Sequence, residues 1–190
     1  MSNETNTLTK DTSIKKKDVH LKSITIDDEI YYQISNNDAM RPFFMSIVSD
    51  SNHWMFISSN GGLTAGRKNS EYALFPYYTD DKITESADIT GNKSIFKVYK
   101  DTQEFMWEPL AVRSLGSYTT TQNLYKNRYG NKIIFEEINH DLELIFRYQW
   151  SSSNVFGFVK KSKLINTGNE AVKAVSYTHL RAHETRGNRV

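Results

Sequence analysis

The residues best suited to chemistry in this 190-residue sequence fall between Phe43 and Lys82. Gly61 and Gly66 stand five apart before Arg67 and Lys68, which approaches the spacing of a phosphate-binding loop. Such a loop needs Lys then Ser or Thr after the second glycine, to reach the β/γ-phosphates and magnesium. Arg67-Lys68 occupies those places and Asn69-Ser70 reads as a turn, so a nucleotide triphosphatase is excluded. Two readings of the stretch remain. The glycines form an anion-binding nest with Arg67 as a fork for phosphate or carboxylate, or they supply positive φ for a tight turn and Arg67 pairs with a local carboxylate. Beyond them, Tyr77, Tyr78 and Asp80 place rigid amphipathic rings beside a fixed carboxylate, the composition of a sugar-contacting surface or of a buried β-corner. Trp54 and Trp107 are candidates to stack on the apolar face of a sugar ring, whereas Trp150 lies on the apolar face of its strand and reads as core.

Other arrangements carry less. Adjacent carboxylates at Asp27-Asp28, Asp80-Asp81 and Glu136-Glu137 point to opposite sides of a strand and so rarely act together as acid and base. His20, His53 and His140 are far apart and show no ligand spacing. No nucleophile-elbow sequence is present, and with no Cys there is neither a disulfide framework nor thiolate chemistry. We therefore assign no catalytic, cofactor-binding or metal-binding residue. His179 and His183 have the i, i+4 spacing of a helical zinc pair, but they fall in Val175–Thr185, VSYTHLRAHET, which looks like the conceptual translation of a sequencing-library adapter. The natural sequence is then expected to stop near Ala174. Setting the last sixteen residues aside removes three Arg and one Glu, leaving 21 basic and 21 acidic residues. No argument for nucleic-acid binding from net charge survives.

The elements that position these residues read as β throughout. Residues 1–17 are polar and lysine-rich, expected as a disordered leader without the apolar core of a secretory signal. No apolar run is long enough to span a membrane as a helix, and a cytoplasmic location is the default expectation. From residue 18 to 174, strands are predicted over Val19–Ile26, Glu29–Ile34, Phe43–Val48, His53–Ser58, Ile95–Tyr99, Phe105–Trp107, Tyr118–Asn127, Lys132–Ile138 and Val155–Ile165, with another beginning at Glu170–Lys173. A polar loop is predicted over Thr79–Ser94, with at most one helical turn, and a two-residue turn at Gly130-Asn131. Leu142, Leu144, Phe146, Tyr148 and Trp150 form the clearest period-2 segment, one face of it core. Short strands joined by turns predict an all-β antiparallel sandwich, supersandwich-like and incomplete at its C-terminus.

Two segments then carry a resemblance. Ser58–Ile83, SSNGGLTAGRKNSEYALFPYYTDDKI, with Val159–Lys173, VKKSKLINTGNEAVK, resembles the N-terminal β-sandwich of large bacterial cellobiose-phosphorylase-like carbohydrate-active proteins. The resemblance covers most of Val19–Ala174 and implies a non-catalytic domain that supports a helical-barrel catalytic domain downstream. It implies carbohydrate as the ligand, that catalytic domain as a partner, and a homodimer of the intact protein. No catalytic residue carries over, and phosphorolysis is not distinguished from hydrolysis. A stand-alone carbohydrate-binding or adhesive sandwich is the alternative.

Overall fold

The computed structural model describes residues 17–74, 80–100 and 102–181. The expected leader lies outside them apart from Lys17, as do Tyr77, Tyr78 and His183. Strands β1 (His20–Ile26) and β2 (Glu29–Ser35) form a hairpin whose two connecting residues, Asp27 and Asp28, both have positive φ, 48° and 64°. That pair of left-handed residues matches the right-handed twist of the flanking strands, and Asp tolerates it better than most side chains. Next come β3 (Phe44–Ile47), β4 (His53–Ser58) and β5 (Leu63–Arg67), a three-stranded antiparallel sheet in that order.

Helix α1 (Asp80–Glu85) leads into β6 (Gly91–Lys100) and β7 (Gln103–Trp107), then β8 (Thr120–Asn127), β9 (Lys132–Asn139), β10 (Leu144–Ser153), β11 (Gly157–Asn166) and β12 (Lys173–Arg181). A six-stranded sheet runs β1-β2-β8-β9-β10-β11, and a second three-stranded sheet runs β12-β6-β7. All the pairings are antiparallel.

Alternation along the strands decides what the sheets bury. In β10 every second residue from Leu144 to Trp150 is buried, as the period-2 pattern requires. Those side chains meet Met45, Met55 and Ile57 of one small sheet and Phe96, Val98 and Trp107 of the other in one continuous core. Phe96 stands edge-on to Phe146, ring centroids 5.0 Å apart. Each such large buried side chain contributes roughly 1.5–3 kcal/mol. The molecule is thus an all-β sandwich, two small sheets packed on one large one.

Several expectations need correcting. After Gly61 and Gly62 the stretch Leu63–Arg67 is a strand, β5, rather than a loop, because its small residues let the backbone run close to its neighbours. A Cβ on Gly66 would lie 2.5 Å from the Trp54 ring and 2.7 Å from the Tyr72 carbonyl oxygen. Only Gly61, φ 93°, plays the expected turn role in that stretch. Residues 80–94 are not an exposed loop, although the helical turn allowed for there is present as α1: Ile83 is 1% exposed, and the Thr90 hydroxyl bonds the Ser86 carbonyl at 3.0 Å and accepts from the Leu63 amide at 3.2 Å. The β8–β9 connection has four residues, 128–131, closed by the Gly130 amide on the Asn127 carbonyl at 3.0 Å. Finally, the strand expected to begin at Glu170–Lys173 is β12, which starts at Lys173 and pairs with β6 from Lys173↔Tyr99 to Arg181↔Gly91. That pairing is main-chain bonding, to which any side chains conform.

On β11, Lys160 holds its ammonium 5.4 Å over the Tyr148 ring, where burial pulls its pKa down to about 8. A lysine depressed in the fold stabilises it above the unfolded value and loses that contribution as pH falls through the folded one. Stability is therefore expected to rise between about 8 and 10.5 more steeply in the natural chain than in Lys160→Met. Denaturant midpoints across that range check this, and parallel slopes would contradict it.

Candidate functional site

A cleft of about 230 Å³ opens where the six-stranded sheet meets loops from both small sheets. One wall starts after β2, where Asn36 turns left-handed, φ 54°, to begin a 3-10 turn at Asn37–Ala39. Asn is among the few residues that take this conformation readily. The Asn37 amide nitrogen donates to the Ser59 carbonyl at 3.2 Å, which ties the turn to the β4–β5 connection. Asp38 accepts from the Lys17 ammonium on Oδ2 at 2.7 Å, and that ammonium also donates to the Thr120 carbonyl at 2.9 Å. Asn60 fixes its own loop by donating to the Thr84 carbonyl at 2.8 Å.

The opposite wall is the chain after β7. Leu110 sits at φ 63°, a conformation that strains a residue of its size. What holds it there is Glu137, whose Oε2 accepts the Leu110 amide at 2.7 Å. The same carboxylate accepts the Trp107 indole N–H at 2.8 Å and the Gln122 side-chain amide at 2.9 Å. Gln122 and Phe135 line the cleft above it. Burial pushes the Glu137 carboxyl above its ordinary value against the pull of these three donors, and the Asp38 charge adds to the rise. Met40, Val112 and Leu115 give the mouth an apolar rim, each more than a third exposed.

Two acceptors in the wall have no donor among the described residues. Asn37 Oδ1 and Asp38 Oδ1 are both shielded from water and without a hydrogen-bond partner. The volume lies below the ~300–1,000 Å³ of drug-sized pockets and suits one ring.

The residues singled out from sequence do not assemble here. Trp107 is 1% exposed and spends its N–H on Glu137, so it supports the cleft from inside the core and is not an open stacking platform. Trp54 is half-buried on β4, tilted against Phe56 at 5.8 Å and close over Gly66. Arg67 is exposed at the end of β5, in a shallow open concavity with Lys68, Glu71 and Tyr72. Asp80 begins α1, and Tyr77 and Tyr78 lie outside the described residues. Asn37, Asp38 and Gln122 are not singled out by the sequence, and Glu137 enters there only as half of the Glu136-Glu137 pair. One signal was available for Glu137: it follows Ile133 and Phe135 at period 2, which puts a carboxylate on the core face of β9.

Its neighbour Glu136 faces the other side of the sheet, as strand geometry demands. It is 1% exposed and accepts from Asn123 at 2.7 Å, from the Tyr125 hydroxyl at 2.6 Å and from Arg147. The Arg147 guanidinium lies 5.9 Å from the Tyr125 ring centre. Removing one partner of a fully buried pair costs about 3–5 kcal/mol; Arg147 is partly exposed and can regain water, so Glu136→Ala is expected to cost about 2 kcal/mol. Denaturant unfolding measures this, and a midpoint within error of the parent would contradict it.

Among the described residues no group of three or more His, Asp or Glu comes together as a metal site. No described helix is long and apolar enough to cross a membrane. Compared with known proteins, the chain matches no family model and no curated protein.

Proposed function

We propose that this chain is a non-catalytic β-sandwich of a carbohydrate-active protein and that it holds one saccharide ring in the cleft between Asn37 and Leu110. The observation that carries this reading is the cleft itself, about 230 Å³, which brings the polar residues Asn37, Asp38, Asn60 and Gln122 together with the apolar Met40, Val112 and Leu115. A pyranose offers both complements, hydroxyl donors around its edge and C–H groups on its faces. The resemblance of Ser58–Ile83 and Val159–Lys173 to the sandwich of cellobiose-phosphorylase-like proteins supports a supporting role beside a catalytic domain. The strained Leu110 backbone and its Glu137 tether supply a preformed wall, which lowers the ordering cost of binding.

Affinity for one ring is modest. At about 0.3 kcal/mol per heavy atom a hexose of about twelve such atoms binds with a Kd of about millimolar. Saturation-transfer NMR on the 190-residue chain with glucose and cellobiose is the suitable test. Transfer to ring protons that is lost in Gln122→Ala is the expected result; none from a folded sample would sink the reading.

A further inference from the structure

We propose that Asn60 is a site of spontaneous self-modification, its side-chain amide lost to the main-chain nitrogen of Gly61 at a rate set by opening of the β4–β5 connection. Asn60 is the only Asn in the sequence that Gly follows. A following residue without a side chain leaves its amide nitrogen free to reach the Asn side-chain carbonyl and close a five-membered ring. In that step the Gly61 nitrogen bonds to Asn60 Cγ, the Cγ–Nδ2 bond breaks, and ammonia leaves with the Gly61 amide proton. The resulting succinimide takes up one water, at Cγ to give aspartate or at the main-chain carbonyl to give isoaspartate.

The fold requires this labile pair. Gly61 takes φ 93°, and a Cβ there would stand 3.3 Å from the Tyr148 hydroxyl, so any other residue is strained at this turn. Asn60 is equally committed, since its Nδ2 donates to the Thr84 carbonyl at 2.8 Å, a bond that a carboxylate cannot make. The same contacts hold the reaction off. The Gly61 amide donates to the Ser58 carbonyl at 2.9 Å, which ties up the nucleophile, and the Thr84 carbonyl holds the leaving nitrogen. The Ser58 hydroxyl, which accepts the Gly62 amide at 2.9 Å, donates to Asn60 Oδ1. Asn60 lines the cleft and is half-buried, so water reaches the ring once the turn opens. Conversion to aspartate sets a carboxylate against the Thr84 carbonyl, acceptor against acceptor. It thereby frees the end of α1 from the β4–β5 connection and adds a negative charge to the cleft wall.

Peptide mapping of the whole chain, incubated at mildly alkaline pH in oxygen-18 water with and without urea, follows conversion at Asn60. Conversion is expected in urea and roughly tenfold or more slower in the folded chain, because it then proceeds only from the locally opened state. Ser58→Ala removes one clasp, so it should raise the folded-chain rate and leave the rate in urea unchanged. Equal rates with and without urea, or no conversion in urea, overturns the inference. So does a folded-chain rate that is unchanged or lower in Ser58→Ala, the lower rate meaning that the hydroxyl promotes attack by polarising the Asn60 carbonyl. Where Ser58→Ala does not fold, Asn60→Asp is decisive: without the Thr84 bond it should melt roughly 2–8 °C below the parent, and an unchanged Tm overturns the inference.

Discussion

Gly62→Ala is expected to destabilise the chain by about 3 kcal/mol or more, the upper end for overpacking, and to lower Tm by roughly 6–12 °C at this chain length. Gly62 lies in the β4–β5 connection, where its amide donates to the Ser58 hydroxyl at 2.9 Å and its carbonyl accepts the Ser58 amide at 2.8 Å. A Cβ there would fall 2.1 Å from the carbonyl oxygen of Ile83 and 2.8 Å from Ser58 Oγ. The first obstacle is helix α1 backbone and cannot rotate away. Relief requires moving α1, which would withdraw Ile83 from the core and loosen the Asn60 bond to Thr84. Gly116 provides the comparison: it has φ 83° but open space around its Cβ position, so Gly116→Ala should cost only the ~1–2 kcal/mol of left-handed strain. Thermal melts of both variants decide this, and equal losses would show that the close approach at Gly62 is not the constraint.

Glu137→Leu is expected to cost about 3–5 kcal/mol and to abolish ligand binding, since it strands three donors at once. Each unsatisfied buried donor costs about 1–3 kcal/mol, moderated where water can enter from the cleft. Glu137→Gln is the milder case. It preserves shape and one acceptor oxygen, but its amide group meets a donor where the carboxylate accepted one, so about 1–3 kcal/mol is expected. The two variants also differ from the parent in pH dependence. Burial raises the Glu137 carboxyl in the fold above its ordinary 4.5. A raised acid favours the folded state below the unfolded pKa, and that contribution is lost as pH rises through the folded value. Stability of the parent should therefore decline as pH climbs from 4.5 through the raised value, and Glu137→Gln should lack that part of the decline. Urea midpoints across that range measure it, and identical profiles would contradict the role given to burial.

The sheets were legible in the sequence because burial on one face of a strand leaves a period-2 trace. β4 was read at its observed limits, and the inward row of β10 was read residue by residue. β5 was hidden because close packing selected Gly66 and Ala65 in place of β-branched residues, and small residues in a row look like a loop. α1 shows in the sequence only as a possible helical turn, because a single buried residue, Ile83, anchors it within polar sequence. The cleft was beyond reach for a different reason. Its walls come from positions 37, 60, 110 and 122, far apart in the chain, and are brought together by sheet order rather than by any local motif. Trp107 shows the limit of reading aromatics by type: a Trp on a half-apolar strand is equally a platform or a core residue until its partner, Glu137, is known.

The central claim is that saccharide binds in the cleft bounded by Asn37, Leu110 and Gln122. A heteronuclear correlation spectrum of the nitrogen-15-labelled chain, titrated with cellobiose, tests it most directly. The amides of Asn37 and Leu110, the Gln122 side chain and the Trp107 indole N–H should shift together along one saturable curve. Shifts confined to the β4–β5 face around Trp54 and Arg67, or none at saturating sugar, would contradict it.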